Sequence, residues 1–416
     1  ALARALVEQV PQAADAWQLL GMCLAENARR QEADAAFERA LALSPGNPVV
    51  SRNYAVSLAR HGKVLREQGE WEQAEPVLRR ALALSAEQAS AWVDLGVVLR
   101  ELGHIDEALA ALQRARDLLR QRGVDEPGVE DAINGVLADA GRTAEALAGA
   151  RSLVARHPAH PSAHETLASL LWENGAALAP DEDPFGEFRA AARAQPDNLP
   201  LQLALARRLL AARLPEDALA VVQPLHRRDP GDPVLRWFVA DALDALDRYD
   251  QAAALYSAVV KGELGELPDF LNAYARHAFR SRRFELAADC AGKVVRIDPR
   301  NQEGWSHLGT AWRLAGDERE HWLFDYERLV GYVEIDPPPG YHDLPAFLHE
   351  LAGTLDAMHT ARREPVNQSV RGGTQTAGQL FGRDDARVKA AQEVLRNAVE
   401  GWIATLPDDS GHPFLS

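Results

Sequence analysis

The chain has 416 residues, 47% apolar and 25% charged, with a formal net charge of -16. That balance excludes a disordered or fibrous chain, and so much negative charge repels phosphate backbones, which argues against nucleic acid as a partner. No apolar run approaches the ~20 residues that span a bilayer, and no signal peptide is recognisable, so no membrane partner is expected and a cytoplasmic bacterial protein is.

Residues 1–10 fit only the second helix of a hairpin, closed by Pro11, so the sequence opens inside a repeat. Trp17-x-x-Leu20-Gly21-x-x-Leu24 follows, with Ala33, Phe37, Ala40 and Pro45 behind it. This spacing resembles the tetratricopeptide (TPR) pattern. In it, two antiparallel helices interlock through large residues, small residues allow close approach, and a proline ends the second helix. The second unit (Leu58, Gly62, Leu65, Ala74, Leu78, Ala81) comes about seven residues late. That excess is about two helical turns and predicts a lengthened first helix beginning near Pro48. The third unit is regular (Trp92, Leu95, Gly96, Leu99, Ala108, Leu112, Ala115) and the fourth degenerate (Ile133, Leu137, Ala146, Leu153, Pro158). In the fifth (Leu167, Ala168, Leu171, Phe188, Ala191, Pro196) residues 179–185 swell the turn between the helices. The sixth (Leu205, Leu209, Ala218, Pro230), seventh (Val239, Ala240, Leu243, Ala252, Tyr256) and eighth (Tyr274, Ala275, Ala278, Ala287, Val294, Pro299) continue the stack. The ninth returns to Trp305, Leu308, Gly309 and Trp312. His321, Trp322, Phe324 and Tyr326 then replace its small residues, which predicts a capping helix over 318–333.

The expected fold is therefore all-α: a TPR α-solenoid over residues 1–333, a right-handed superhelix of about nine helix-turn-helix repeats. A small, mainly helical C-terminal segment follows. Pro337-Pro338-Pro339-Gly340 breaks the helical register as a linker. Beyond it the pattern predicts a helix over 344–360, a Gly/Thr-rich loop over 362–379, and a helix over 384–406 with Asp384 or Asp385 as its N-cap.

Residues 320–330 (EHWLFDYERLV), Asp336-Pro-Pro-Pro-Gly-Tyr341, the run from Asn367 through Arg371-Gly372-Gly373-Thr374-Gln375-Thr376, Gln379-Leu-Phe381 and His412-Pro-Phe-Leu415 together resemble bacterial TPR proteins that carry a 2-oxoglutarate/Fe(II)-dependent oxygenase domain. The resemblance implies that residues 334–416 are the N-terminal portion of such a domain, without its jelly-roll core. It also implies that Fe(II) and 2-oxoglutarate belong only to a form containing that core. The triad of two histidines and a carboxylate begins with His-x-Asp. None of His342, His349, His359 and His412 has an acidic residue two positions later. No catalytic or metal-ligating residue is assigned in this chain, and alone it is expected to be inactive.

Candidate binding residues lie on the first-helix face of the repeats, the side that lines the groove of a TPR superhelix. They are Arg66, Arg100, Trp172, Arg207, Trp237, Asn272, Arg276 and Arg313, with Lys63 and Asp241 beside them. Several arginines with aromatic company suit an acidic or aromatic peptide. The leading reading is a scaffold that binds a protein or peptide in this groove and presents it to oxygenase chemistry; a non-catalytic adaptor and a self-associating homo-oligomer are the alternatives. Other chemistry-bearing residues have simpler expectations. His104-Ile105-Asp106 fits a repeat turn, His157, His160 and His164 a surface loop, and Asp181-Glu182-Asp183 solvated charge. Arg371–Thr376 lacks the spacing of a phosphate loop. Cys23 and Cys290 lie far apart on helices and are expected to be buried small apolar side chains rather than a disulfide or zinc site.

Overall fold

The computed structural model describes residues 2–359, 363–365, 373–376 and 378–415, which are helical or irregular with no β-strand among them. They form two compact units. Residues 1–158, 357–361 and 376–388 make the first; residues 159–356, 362–375 and 389–416 make the second.

The first unit opens with α1 (Leu2–Gln9) and continues with α2 (Ala14–Glu26), α3 (Arg30–Leu43), α4 (Pro48–Glu67), α5 (Trp71–Leu84), α6 (Ala89–Glu101), α7 (Ile105–Gln121), α8 (Pro127–Asp139) and α9 (Thr143–Arg156). As predicted, α4 starts at Pro48 and is long; Asn47 caps it by accepting from Val49 N at 2.9 Å. Each regular hairpin closes because a glycine on its first helix admits a large side chain from the second. A Cβ on Gly21 would lie 2.8 Å from the Phe37 ring, one on Gly62 2.5 Å from Leu78 Cγ, and one on Gly96 2.6 Å from Leu112 Cγ. Phe37, Leu78 and Leu112 are buried in the hollows so made. In the degenerate fourth hairpin the device is reversed: Gly149, on α9, makes room for buried Asn134 on α8.

In the second unit α10 (Pro161–Leu178) and α11 (Gly186–Ala194) flank the swollen loop. Next come α12 (Leu199–Ala211), α13 (Pro215–Arg228), α14 (Pro233–Ala245), α15 (Tyr249–Val259), α16 (Pro268–Arg280), α17 (Phe284–Ile297) and α18 (Gln302–Ala315). Hairpin α14/α15 and helix α16 share a core in which Tyr256, Tyr274 and Phe270 pack, with Tyr256 and Tyr274 stacked at 5.1 Å. The consensus tryptophans are half-buried rather than central. Trp17, Trp92 and Trp305 donate Nε1–H to the carbonyls of Pro11, Ala86 and Pro299, at 2.9, 2.9 and 2.8 Å. Each thereby ties its helix to the turn before it.

The expected capping helix differs from prediction. It breaks into α19 (Arg319–Phe324) and α20 (Tyr326–Leu329), because Asp325 leaves helical geometry and accepts from Arg328 N to cap a new turn. Buried Leu323 and the Phe324 ring close over α18, with Phe324 against Gly309. Residues 330–338 are irregular, and α21 (Leu344–Met358) and α22 (Ala386–Ile403) follow. Asp385 is the N-cap of α22: its Oδ1 accepts from Arg387 N at 2.8 Å, and the Arg387 side chain holds its carboxyl down at about 2. Tail residue His412 is buried; its Nε2 lies 3.1 Å from the Trp322 carbonyl, and Phe414 packs edge-on to Trp305.

Cys290 is buried as expected, and burial pushes its thiol up to about 12. Cys23 is exposed, because the inward stripe of α2 is formed by Ala16, Leu20, Gly21 and Leu24 and leaves position 23 outside. His164 also departs from expectation: it is buried and stacked on Phe188 at 5.0 Å. His160 instead caps α10, and His157 lies 3.0 Å from Asp125.

Candidate partner-binding surface

The first helices other than α10 end in the same way. The residue that turns the chain into the second helix has φ between 57° and 79° at Ala28, Gly69, Gly103, Arg213, Asp247, Arg282 and Gly316 alike. Within each unit, carboxylates and cations of successive first helices meet across the repeats.

In the first unit Arg60 of α4 reaches back to Glu26 of α2 at 2.7 Å. Arg66 reaches forward to Asp94 of α6, Nε to Oδ1 at 3.0 Å, and Arg100 of α6 reaches Asp139 of α8 at 2.5 Å. Burial raises the Asp94 carboxyl above its usual range, against the pull of Arg66. Lys63 lies 3.8 Å from Glu67 of its own helix. In the second unit Arg208 of α12 pairs with Glu165 of α10 at 3.4 Å, while neighbouring Arg207 stays 62% exposed at 4.0 Å from the same carboxylate. Arg276 of α16 pairs with Glu303 of α18, which also accepts from Asn272 Nδ2 at 3.2 Å. Asn272 is 2% exposed, so it orients Glu303 from within the stack. Arg313 is exposed and makes no ion pair among the described residues.

The two candidate tryptophans have different surroundings. Trp237 is half-buried and meets Phe270 edge-on at 5.4 Å. Trp172 donates Nε1–H to the main-chain carbonyl of Glu364 at 3.0 Å, with the Arg363 guanidinium 5.1 Å from its ring. The Glu364 carboxylate lies 4.0 Å from Arg213 at the following turn. Of the Arg371–Thr376 run, Arg371 and Gly372 lie outside the described residues. Gly373 and Thr374 are exposed, Gln375 is half-buried, and Thr376 Oγ1 lies 3.3 Å from His359 Nδ1.

A second polar cluster sits on α14 and α16; the helical face singles out Asp241 in it, but nothing in the sequence joins Asp244 or His277 to that residue. Asp244, 4% exposed, meets His277 Nδ1 at 2.7 Å and Arg280 at 2.5 Å. Asp241 accepts from the Tyr256 hydroxyl, and burial nonetheless pushes its carboxyl up to about 6 from 3.8. A raised folded-state value means that the native form holds its proton longer, so this group costs stability as pH rises from about 4 through about 6. Asp241→Asn, which keeps the acceptor for Tyr256, is therefore expected to gain Tm relative to wild type as pH rises from 4 to 7. A constant Tm difference over that range would refute the assignment.

The residues available for the iron triad do not fit one. His412 uses Nε2 on the Trp322 carbonyl and Nδ1 on Phe414 N, His342 is exposed beside its neighbour Asp343, and His349 is exposed on α21. Among the described residues no three His, Cys, Asp or Glu side chains gather to hold a metal ion. His104 and Asp106 open α7, and Asp183 caps the turn before α11 by accepting from Phe185 N at 3.0 Å. No helix is long and apolar enough to cross a membrane among the described residues.

Two sequence families match. Residues 1–123 match the cytochrome c-type biogenesis protein H TPR domain, and residues 203–266 match the tetratricopeptide repeat. No curated protein matches. Among solved structures, a TPR protein from Parabacteroides merdae is 16% identical over 62% of this chain and 98% of its own, with a TM-score of 0.41. YrrB, described as a TPR protein with an unusual peptide-binding site, is 21% identical over 49% of this chain and 96% of its own, with a TM-score of 0.37. PilF from Pseudomonas aeruginosa is 18% identical over 62% and 99%, with a TM-score of 0.32. The sequence matches agree with the interlocked glycine hairpins: residues 1–123 and 203–266 carry tetratricopeptide repeats, and the described residues fold as helical hairpins.

Proposed function

We propose that this scaffold is an adaptor that captures extended, acidic polypeptide along the first-helix face of its repeats. The observation that carries the reading is Trp172. An indole N–H donated to a main-chain carbonyl recognises backbone rather than a particular side chain, as a surface that accepts varied peptides must. The charge preference comes from Arg207 and Arg313, whose guanidinium groups keep donors free for a carboxylate. Arg66, Arg100 and Arg276 serve differently: their charges are spent on Asp94, Asp139 and Glu303, where they pin neighbouring repeats together.

The test is selection of displayed acidic and scrambled peptides by the full chain, followed by titration of the recovered sequences. Arg207→Glu with Arg313→Glu is expected to weaken binding by about tenfold or more, ~1.4 kcal/mol, at unchanged far-UV helicity. Equal affinity of the double variant, or no preference for acidic peptides, would remove the reading.

A further inference from the structure

Residues 378–383, Gly-Gln-Leu-Phe-Gly-Arg, lie against the turns that follow α6 and α8 in the first unit. A short 3-10 turn, Leu380–Gly382, folds them so that the outer and inner residues meet different repeats. Gln379 Nε2 donates at 2.9 Å to the carbonyl of Glu101, the last residue of α6. Arg383 donates at 3.3 Å to the carbonyl of Asp139, the last residue of α8. Both acceptors are carbonyls that a helix end leaves without a partner, at the negative pole of the helix dipole. An amide and a guanidinium are well matched to them.

The glycines make this contact backbone against backbone. A Cβ on Gly382 would stand 2.5 Å from Gly103 Cα, and one on Gly103 would stand 2.7 Å from Gly382 Cα. A Cβ on Gly378 would stand 2.7 Å from the Asp139 carbonyl oxygen. Gly103 and Gly378 also have φ of 79° and 69°, where a side chain is strained. Four positions therefore combine into one recognition pattern: glycine, amide donor, two variable residues, glycine, guanidinium.

We propose that the turn edge of α6–α9 is a binding site for a Gly-Gln-x-x-Gly-Arg peptide, and that this chain fills it in cis with residues 378–383. The inference rests on the peptide-binding reading of the repeats, but it concerns a different surface and a different ligand chemistry. While the segment is seated, a partner carrying the same pattern is excluded; release of the segment opens the edge.

The experiment uses the full chain and a fluorescent synthetic peptide of residues 374–388. Gly382→Val drives a branched side chain into Gly103 backbone that cannot yield, so hydrogen exchange at 378–383 is expected to rise. The labelled peptide is then expected to bind the Gly382→Val chain at least tenfold more tightly than it binds wild type. A peptide carrying the same substitution is expected not to bind. If Gly382→Val loses helical signal, Gln379→Ala with Arg383→Ala releases the segment without a clash and is read identically. Failure of the peptide to bind a chain whose segment exchanges freely, equal binding to wild type, or unchanged exchange in both variants overturns the site. A wild-type dimer in which residues 378–383 crosslink to the other copy overturns the assignment in cis. Acidic-peptide capture through Arg207 and Arg313 is measured on the same chains. Its loss with segment exchange intact sinks only the adaptor reading, and the converse sinks only this one.

Discussion

Phe37→Ala is expected to destabilise the hairpins around it by about 3–5 kcal/mol, the range for deleting a large buried aromatic. The ring is fully buried, stacks on Tyr54 at 4.8 Å, and fills the hollow above Gly21. Alanine leaves both the cavity and the groove over Gly21 empty, and the close-packed helices around it relax only in part. In a repeat array each unit contacts only its neighbours, so the loss should stay local. Hydrogen exchange is the suitable readout, because it resolves the loss helix by helix where a global midpoint averages it over the array. Protection in α2–α5 should fall by about two orders of magnitude or more, at 1.4 kcal/mol per decade, while α16–α18 keep theirs. Protection lost equally throughout the chain, or not at all, would contradict nearest-neighbour stacking.

Asp244→Ala should act comparably on the second unit, by about 3 kcal/mol, toward the lower end of the cost of breaking a buried ion pair. The carboxylate is 4% exposed and is shared by His277, which is wholly buried, and Arg280, whose side chain is 49% exposed. Arg280 can turn to water when the carboxylate goes, which limits the loss. The His277 ring cannot, and a buried polar nitrogen left without its partner carries the penalty. Asp244→Asn keeps an acceptor near His277 and should recover about half of the loss. Exchange rates in α14–α16 that match wild type in Asp244→Ala would show that the cluster contributes nothing to the stack.

Features set by near neighbours in the chain could be read without a structure. The hairpin order, the early start of α4 at Pro48, the loop at 179–185 and the Asp385 cap all follow from helical periodicity, proline placement and short-range capping. The capping helix was legible as an irregularity but not as a break at Asp325, because the choice between continuing one helix and capping another turns on how Leu323 and Phe324 pack over α18. Cys23 was misplaced for a similar reason: position 23 lies near the apolar stripe of α2, and only the neighbouring helices define where that stripe ends.

The candidate residues follow from the 3.6-residue period of the first helices, which fixes a position on each helix but not whether it is open: Asn272 is 2% exposed. Which of those residues keep donors open to solvent was decided by tertiary structure. Arg66 and Arg100 find Asp94 and Asp139 across the repeat interface, whereas Arg207 and Arg313 remain available. Nothing in a local window links Gln379 and Arg383 to the ends of α6 and α8, which precede them by well over two hundred residues. Periodicity and turn chemistry are short-range and so are written in the sequence. Charge neutralisation and the seating of a distant segment depend on which surfaces the stacked helices bring within hydrogen-bond reach, and only the folded chain determines that.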